Sequence, residues 1–261
     1  MVKDIALNLY TDLHTHTTYC DGTCSPEQLV LGAIERGVKV LGICAHSYTD
    51  FDLRYCLKKE NYASFQKEVN ALKEKYKDKI TVLCGIEQDY FSKEKPAGFD
   101  YVIGSVHYVE VNGEFFEIDD SLEILQNLCE KHFGGDYYLL VEKYYSYFED
   151  LVEKTGADII GHLDLITKYN DNESLFSVKN DRYVSAYKRA VDSVVKSGAL
   201  IEVNTGIIAK SGKVEPCPSL EIVEYALLGG GKITFNSDAH STDKLLFEFD
   251  KWSKLICKKE K

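Results

Sequence analysis

The sequence predicts an α/β fold in which about seven parallel strands alternate with helices and close, or nearly close, into one barrel domain. Short runs rich in Val, Ile and Leu are separated by longer segments with helical periodicity, and the pattern recurs about seven times. Near-continuous apolar strands of this kind are typical of parallel sheets that helices cover. A chain of 261 residues has a usual length for a single barrel domain. An open, doubly wound sheet is the structural alternative.

The strands are predicted where the apolar runs occur, at 5–14, 39–46, 79–87, 99–107, 157–164, 199–205 and 232–240. The helices are predicted between them, at about 26–37, 59–77, 120–132, 137–155, 181–197, 218–229 and 241–257. Ser25, Pro26 and Gln28 form a capping box with proline in the first helical position, and Gly37 closes that helix. Pro218 opens a later helix, which ends in three consecutive glycines.

The charge of the chain argues against a nucleic-acid-binding protein. Acidic residues outnumber basic ones by 42 to 31, which gives a net charge of -11, and no block of Lys and Arg suggests a groove for nucleic acid. An anionic substrate must therefore be attracted by a local positive charge. The amino terminus lacks the apolar core of a signal peptide, and no apolar run approaches the roughly 18 residues that span a bilayer. We therefore expect a cytoplasmic protein without a membrane partner, and the sequence specifies no oligomeric state.

The eight cysteines are dispersed along the chain, and several lie inside apolar runs, as Cys44 and Cys84 do. Free cysteine behaves there as a small hydrophobic residue, so no disulfide framework is predicted. Cys20 and Cys24 form an isolated C-x3-C pair without a second pair to complete a zinc site, and we interpret them as ordinary thiols. No glycine-rich phosphate loop of the dinucleotide-binding or P-loop type is present.

The histidines carry the clearest functional signal. Six of the seven lie at or near the carboxyl ends of predicted strands, and two carboxylates lie there too; these residues are His14, His16, His46, Glu87, His107, His162, Asp238 and His240. Strand carboxyl ends in a parallel barrel meet at one rim, where barrel enzymes have their active sites. Residues two apart in a strand point to the same side, so His14 with His16 can direct two ligands to one place. Structural histidines should also occur on helices and loops, and only His132 does.

A metal cluster explains this set of side chains. Five or six imidazoles with two or three carboxylates exceed the ligands of one four-coordinate ion, and they suit two or three divalent transition metals of the Zn, Mn or Fe kind. Carboxylates are needed because they bridge two cations and neutralise their charge. Such a cluster lowers the pKa of bound water towards neutrality and binds the oxygens of a phosphoryl group. It also supplies the local positive charge that the acidic chain otherwise lacks.

The successive motifs DLHTHTTYCDG, AHS, GIEQDY, GSVHYV, IGHLDLI and NSDAHS resemble those of the PHP family, the polymerase and histidinol phosphatase domain. The resemblance extends from about residue 10 to about residue 245, with no appended polymerase domain expected. Motif spacing and the segments FGGDYYLLVEKYYSYFEDLV, EVNTG and EPCPSLEIV are similar to the histidinol-phosphatase branch. The family fold is a distorted (β/α)7 barrel, which agrees with the seven units above. Residues 1–261 are then expected to form one domain.

The resemblance implies a metal centre with up to three ions. His14, His16, Glu87 and Asp238 would bind the first ion, Glu87, His107 and His162 the second, and Asp21, His46 and His240 the third. Glu87 would bridge the first two ions, and many relatives have histidine at the position of Asp21. Basic residues that bind phosphate in this branch, often arginine, correspond to Lys168 and Lys210, which would act as point charges.

The resemblance further implies hydrolysis of L-histidinol phosphate, a small phosphate ester, in histidine biosynthesis. Glu87, Asp238 and His240 are the expected catalytic residues, and either Asp238 or His240 would protonate the leaving alkoxide. Acidic residues in the pocket would suit the amino and imidazole groups of this substrate. One alternative is a PHP phosphoesterase for another small phosphate or for nucleic-acid ends, and the absence of basic stripes disfavours the latter. Another is a metal-binding regulatory barrel without turnover.

Overall fold

The computed structural model describes residues 8–259, with side chains described as far as residue 256, and contains a nearly closed barrel. The strands are β1 (Thr11–Asp12), β2 (Val40–Ile43), β3 (Thr81–Asp89), β4 (Tyr101–Ser105), β5 (Tyr108–Val111), β6 (Glu114–Glu117), β7 (Ile159–Ile160), β8 (Leu200–Asn204) and β9 (Lys232–Asn236). Seven of them form a parallel sheet in the order β1-β2-β3-β4-β7-β8-β9. A parallel bridge between Thr15 and Ala239, just beyond β1 and β9, brings its two edges together. The predicted barrel is confirmed, and the open sheet is excluded.

Helices surround the barrel. They are α1 (Pro26–Glu35), α2 (Tyr62–Lys75), α3 (Leu122–Phe133), α4 (Tyr137–Ser146), α5 (Leu151–Thr155), α6 (Asp181–Ser197), α7 (Gly206–Ser211), α8 (Leu220–Leu228) and α9 (Phe249–Lys259). The start of α1 is as predicted, because the Ser25 hydroxyl accepts the Gln28 N–H at 3.3 Å and the Gln28 side chain accepts the Ser25 N–H at 2.9 Å. None of the helices in the described residues is long and apolar enough to span a membrane.

Several predicted boundaries were wrong. The strand predicted at 157–164 forms ladder pairs only at Ile159–Ile160, and the helix predicted at 137–155 is interrupted by a 3-10 turn. The helix predicted at 241–257 begins only at Phe249, because Leu246 and Glu248 have positive φ angles of 56° and 54° that an α-helix does not allow. Residues 5–7 of the first predicted strand lie outside the described residues. The seven cysteines that the structure describes are free thiols, as predicted.

The sequence interpretation also missed an antiparallel hairpin formed by β5 and β6. Its turn is Asn112-Gly113, with φ angles of 55° and 86°, and this dipeptide favours the two-residue turns of hairpins because both residues tolerate positive φ. The hairpin follows β4 and reaches the carboxyl end of the barrel, where Glu117, Asp119 and Asp120 line the cavity that also holds the predicted ligands. It is therefore part of the functional end of the molecule.

The barrel interior is apolar at its amino-terminal end. The side chains that fill it are Leu13, Cys44, Leu83, Tyr101, Ile103, Ile159 and Leu200. The Tyr101 hydroxyl donates a hydrogen bond to the Leu13 carbonyl, and the ring leaves no space for a Cβ atom at Gly42 or Gly85. A Cβ at those positions would lie 2.1 Å and 2.2 Å from Tyr101 atoms, so packing alone requires both glycines. Buried polar residues occupy the carboxyl end.

Candidate metal centre

All nine residues predicted as metal ligands meet at the carboxyl end of the barrel. His14 and His16 follow β1, Asp21 lies between β1 and α1, His46 follows β2, Glu87 is in β3, His107 follows β4, His162 follows β7, and Asp238 and His240 follow β9. Seven of them line one cavity, and His14 and His16 are fully buried behind its wall. His132 lies apart on α3, where its ring centroid is 4.7 Å from that of Phe116.

Glu87 is the centre of this cluster. Its Oε2 lies 3.2 Å from Nε2 of His14 and 2.8 Å from Nδ1 of His46. Its Oε1 lies 3.3 Å from Nε2 of His107 and 2.9 Å from Nε2 of His162. The two oxygens of one carboxylate thus face two separate groups of imidazoles. This is the arrangement expected of a ligand that bridges two cations.

Asp238 completes the group on the Oε2 side of Glu87. Its Oδ1 lies 3.4 Å from Nε2 of His16 and 3.7 Å from Nε2 of His14. The His16 Nε2 is also 3.5 Å from Oε2 of Glu87. The first predicted ligand set, His14, His16, Glu87 and Asp238, is therefore brought together around one point.

Asp21 organises a further group at the edge of the cluster. Its Oδ2 lies 2.9 Å from Nε2 of His240, and its Oδ1 lies 3.5 Å from Nε2 of His46. These three residues and His16 offer ligand atoms that all lie within 4.8 Å of one another. The third predicted ligand set, Asp21, His46 and His240, therefore also lies together, and His16 contacts both this set and the first one.

The donor atoms of the cluster fit divalent cations. Nε2 of His14, Nε2 of His16, Oδ1 of Asp21 and Oε2 of Glu87 are buried without a hydrogen-bond partner in the described part of the chain. An unsatisfied buried polar atom costs about 1–3 kcal/mol. Imidazole nitrogens and carboxylate oxygens together suit Zn, Mn and Fe. Cations bound at these atoms would satisfy several such groups at once.

The electrostatics of the cluster also require positive charge. Burial raises the pKa of Glu87, but the charges of His14, His46 and His107 outweigh burial and hold that pKa well below its usual range. Conversely, burial lowers the pKa of His107, but the Glu87 carboxylate and nearby hydrogen bonds raise it to about 10. Burial and neighbouring imidazoles lower the pKa of His16 to about 3, which keeps its ring neutral and able to bind a metal. The buried carboxylates of the cluster are therefore stabilised by neighbouring positive charge, which bound cations would also supply.

Two further carboxylates orient the imidazoles, and the sequence interpretation missed both. Oε2 of Glu202 lies 2.8 Å from Nδ1 of His14, and Oδ2 of Asp89 lies 3.1 Å from Nδ1 of His107. Each bond fixes a proton on Nδ1 and leaves Nε2 directed towards Glu87. Asp89 had a detectable signal, because it is two residues from Glu87 on the same strand face. For Glu202 the signal was a charged residue in the middle of the apolar run ALIEVNT.

Asp238 adopts an unusual backbone conformation, with a φ angle of 48°. Positive φ is uncommon outside glycine and often marks functional sites. The turn is held by the Ser237 N–H, which donates to the buried Asp12 carboxylate at 3.0 Å. Gly206 also packs against it, because a Cβ there would lie 2.2 Å from the Ser237 carbonyl oxygen.

Both predicted phosphate-binding lysines line the same cavity, in different environments. Nζ of Lys210 lies 3.0 Å from Oδ2 of Asp238, directly beside the candidate metal ligands. Nζ of Lys168 donates to the Asp119 backbone carbonyl at 2.6 Å and lies 3.2 Å from Oδ2 of the same residue. Lys210 is therefore a cation beside the cluster, whereas Lys168 also fixes the segment that follows the hairpin.

The cavity has a volume of about 360 Å³, and its walls differ in charge. The same cavity has an acidic wall that consists of Asp52, Glu117, Asp119 and Asp120. Arg54 pairs with Asp52 at 2.7 Å, with Asp120 at 3.0 Å and with Glu117. Burial and the charge of Asp119 raise the pKa of Glu117 to about 7. The cavity is suited to a small ligand that is anionic at one end and cationic at the other.

Comparison with known proteins identifies the family. The sequence-family model of the PHP domain matches residues 12–206, which is most of the chain. The chain belongs to the PHP family. A relative from Deinococcus radiodurans, described as "Probable histidinol-phosphatase", is 28% identical over 256 residues, covering 91% of this chain and 89% of the relative.

Solved structures agree with the PHP barrel. A protein from Listeria monocytogenes superimposes with a TM-score of 0.81 at 21% identity, covering 93% of this chain and 99% of the other. Histidinol phosphate phosphatase from Lactococcus lactis subsp. lactis superimposes with a TM-score of 0.68 at 23% identity, covering 95% and 92% of the two chains. The Lactococcus protein is described as complexed with zinc, L-histidinol and phosphate. At these identities the matches establish the fold.

The central position of Glu87 leads to a first prediction. Glu87→Gln keeps the shape of the side chain and removes the charge between the two imidazole groups, so we expect lost metal together with lost hydrolysis of phosphate esters. Elemental analysis should show a deficit of at least about one ion per chain. Asp164→Asn is the matched control, because Asp164 is also buried but bonds to Cys217 and Ser219. Full metal content and normal turnover in Glu87→Gln would show that Glu87 is an ordinary buried carboxylate.

Proposed function

We propose that this PHP protein hydrolyses L-histidinol phosphate to L-histidinol and inorganic phosphate. The observation that carries the proposal is the convergence of imidazole and carboxylate ligands around Glu87, beside a cavity with cationic and acidic walls. A relative that covers 91% of this chain is described as "Probable histidinol-phosphatase", which supports the same substrate. The cavity volume suits a small phosphate ester and no polymer.

The metal ligands that we propose are those of the cluster. They are His14, His16, Glu87 and Asp238 for one ion, Glu87, His107 and His162 for a second, and Asp21, His46 and His240 for a third. Two or three divalent ions bound there supply Lewis-acid stabilisation of phosphoryl charge and acidify water near neutral pH. Glu87 contacts imidazoles through both of its oxygens and thereby holds the two ligand groups together.

Lys210 is the stronger candidate for binding phosphate. Its ammonium group lies beside Asp238, so it can reach a phosphoryl oxygen at the ligand cluster. The Lys168 ammonium has three protons, and two of its bonds go to Asp119. Its third proton is available for phosphate, and Lys168 would then connect the phosphate to the acidic wall.

The acidic wall is suited to the cationic part of histidinol phosphate. Arg54 forms ion pairs with three carboxylates of this wall, those of Asp52, Glu117 and Asp120. In contrast, Oδ1 of Asp119 is buried without a hydrogen-bond partner in the described residues. Asp119 also lines the cavity, and its carboxylate is the acceptor that we assign to the substrate amino group. A second anionic group on the substrate would instead be repelled by this wall, which argues against bisphosphates and nucleic-acid ends.

The sequence offers two candidate donors of the proton that the leaving oxygen receives, Asp238 and His240. Burial raises the pKa of Asp238, but Lys210 and His14 outweigh burial and hold the pKa well below its usual range. Asp238 is therefore ionised at neutral pH, which suits a metal ligand and not a proton donor. We favour His240 as the donor: its Nδ1–H is held by the Asp238 backbone carbonyl at 3.0 Å, and its Nε2 would deliver the proton in the form of the centre that has no third ion on His240.

A panel of phosphate monoesters tests the substrate. We expect the zinc- or manganese-reconstituted protein to hydrolyse L-histidinol phosphate with a kcat/KM at least about tenfold above those for glycerol phosphate and nucleoside monophosphates. One charge-assisted hydrogen bond to the amino group accounts for that factor. A wide preference for another ester would contradict the histidinol assignment. The absence of turnover with every ester would favour a regulatory barrel.

Lys210→Met tests the phosphate contact. Loss of one charge-assisted hydrogen bond of about 1.5–3 kcal/mol should lower kcat/KM for histidinol phosphate roughly ten- to a hundredfold. Metal content should stay at the parent level, since Lys210 is not a metal ligand. Lys244→Met is the matched control, because Lys244 pairs with Asp243 at 3.1 Å, is 45% exposed against 43% for Lys210, and does not line the cavity. Parent-level hydrolysis by Lys210→Met would show that another group binds the phosphate.

A further inference from the structure

Glu202 is a fully buried carboxylate of β8 that the proposed reaction does not use. Its Oε2 lies 2.8 Å from Nδ1 of His14 and accepts the Asn236 side-chain amide at 2.8 Å. Its Oε1 accepts the backbone N–H of His162 at 3.1 Å and the Asn204 side-chain amide at 2.8 Å. Each oxygen thus faces two donors, which is the full hydrogen-bonding capacity of a carboxylate.

The bond to His14 determines which of its nitrogens is available to a metal. A carboxylate at Nδ1 keeps the proton there, so that Nε2 presents its lone pair to the cluster. That Nε2 lies 3.2 Å from Glu87 and 3.7 Å from Asp238. The Asn236 side chain that bonds to Glu202 also accepts the Leu13 N–H at 2.8 Å, which fixes the backbone next to His14.

The bond to His162 positions a residue on the other side of Glu87. His162 follows β7 with a φ angle of 20°, where the chain leaves the sheet. Its N–H points back to Glu202, and its Nε2 then lies 2.9 Å from Oε1 of Glu87. One carboxylate therefore contacts a residue of each imidazole group that Glu87 separates.

We propose that Glu202 is a positioning residue that builds the metal sites on both sides of Glu87, by orienting the His14 ring and by fixing the His162 turn. The proposal rests on the metal centre of the proposed function and is independent of which phosphate ester is hydrolysed. Glu202 itself would bind no metal, because all of its acceptor positions are used by the protein.

Glu202→Gln tests this role in the metal-free protein. The amide replaces one acceptor oxygen with an NH2 group. The Nδ1–H of His14 or the backbone N–H of His162 then faces this NH2 group and loses its acceptor. We expect the affinity for zinc to fall roughly ten- to a hundredfold, as for other partners of metal-binding histidines. Zinc affinity is measured by competition with a chelator at a temperature where circular dichroism shows the variant folded. Asp164→Asn again removes a buried carboxylate, and this control should keep parent-level zinc affinity even if its melting temperature falls.

Parent-level zinc affinity in folded Glu202→Gln would overturn the proposal, as would an equal loss of affinity in Asp164→Asn. If Glu202→Gln does not fold, Asn236→Ala removes one of the donors that hold Glu202, and a several-fold loss of zinc affinity is expected. Parent-level affinity in Asn236→Ala would then overturn the proposal. A parent protein that binds no zinc would contradict the metal centre itself, which distinguishes failure of the proposed function from failure of the role of Glu202.

Discussion

A single carboxylate, Glu87, is buried at the carboxyl end of the barrel, and its charge has to be balanced by groups that the surrounding strands bring to it. An isolated ionised carboxylate is very costly to bury. Four imidazole nitrogens lie within 3.3 Å of its two oxygens, and they come from segments following four different strands. The parallel barrel makes this possible because its strands all end at the same rim.

The rest of the barrel interior supports this arrangement. At the amino-terminal end, Tyr101 packs against Gly42 and Gly85 within a cluster of apolar side chains. The Tyr101 hydroxyl is a polar group in this cluster. At the carboxyl end, Glu202 accepts hydrogen bonds from His14 and His162, which follow two different strands. Asp89 accepts a hydrogen bond from His107 there. The apolar side chains fill the amino-terminal end of the interior, and the carboxylates at the other end orient the imidazoles. The cluster is consequently held by packing and hydrogen bonds together.

The sequence predicted the barrel and the ligand cluster because both follow from strand periodicity and from the positions of histidines at strand ends. It predicted neither the break before Phe249 nor the short β7, because positive φ angles at Leu246 and His162 depend on tertiary contacts. The Asn112-Gly113 hairpin was detectable from its turn residues. Glu202 was harder to identify, since the two histidines that it contacts, His14 and His162, lie 40 or more residues away in the chain. The attachment of Lys168 to Asp119 likewise joins segments 49 residues apart.

We infer that both oxygens of Glu87 bind cations. The most direct measurement is a crystal structure of the zinc-reconstituted protein, with the ions located by anomalous scattering. We expect ions within ~2.0–2.3 Å of Oε1 and of Oε2, each also bound by imidazoles on its own side of the carboxylate. Ions located away from Glu87, or a Glu87 carboxylate hydrogen-bonded only to protein and water at saturating zinc, would contradict it.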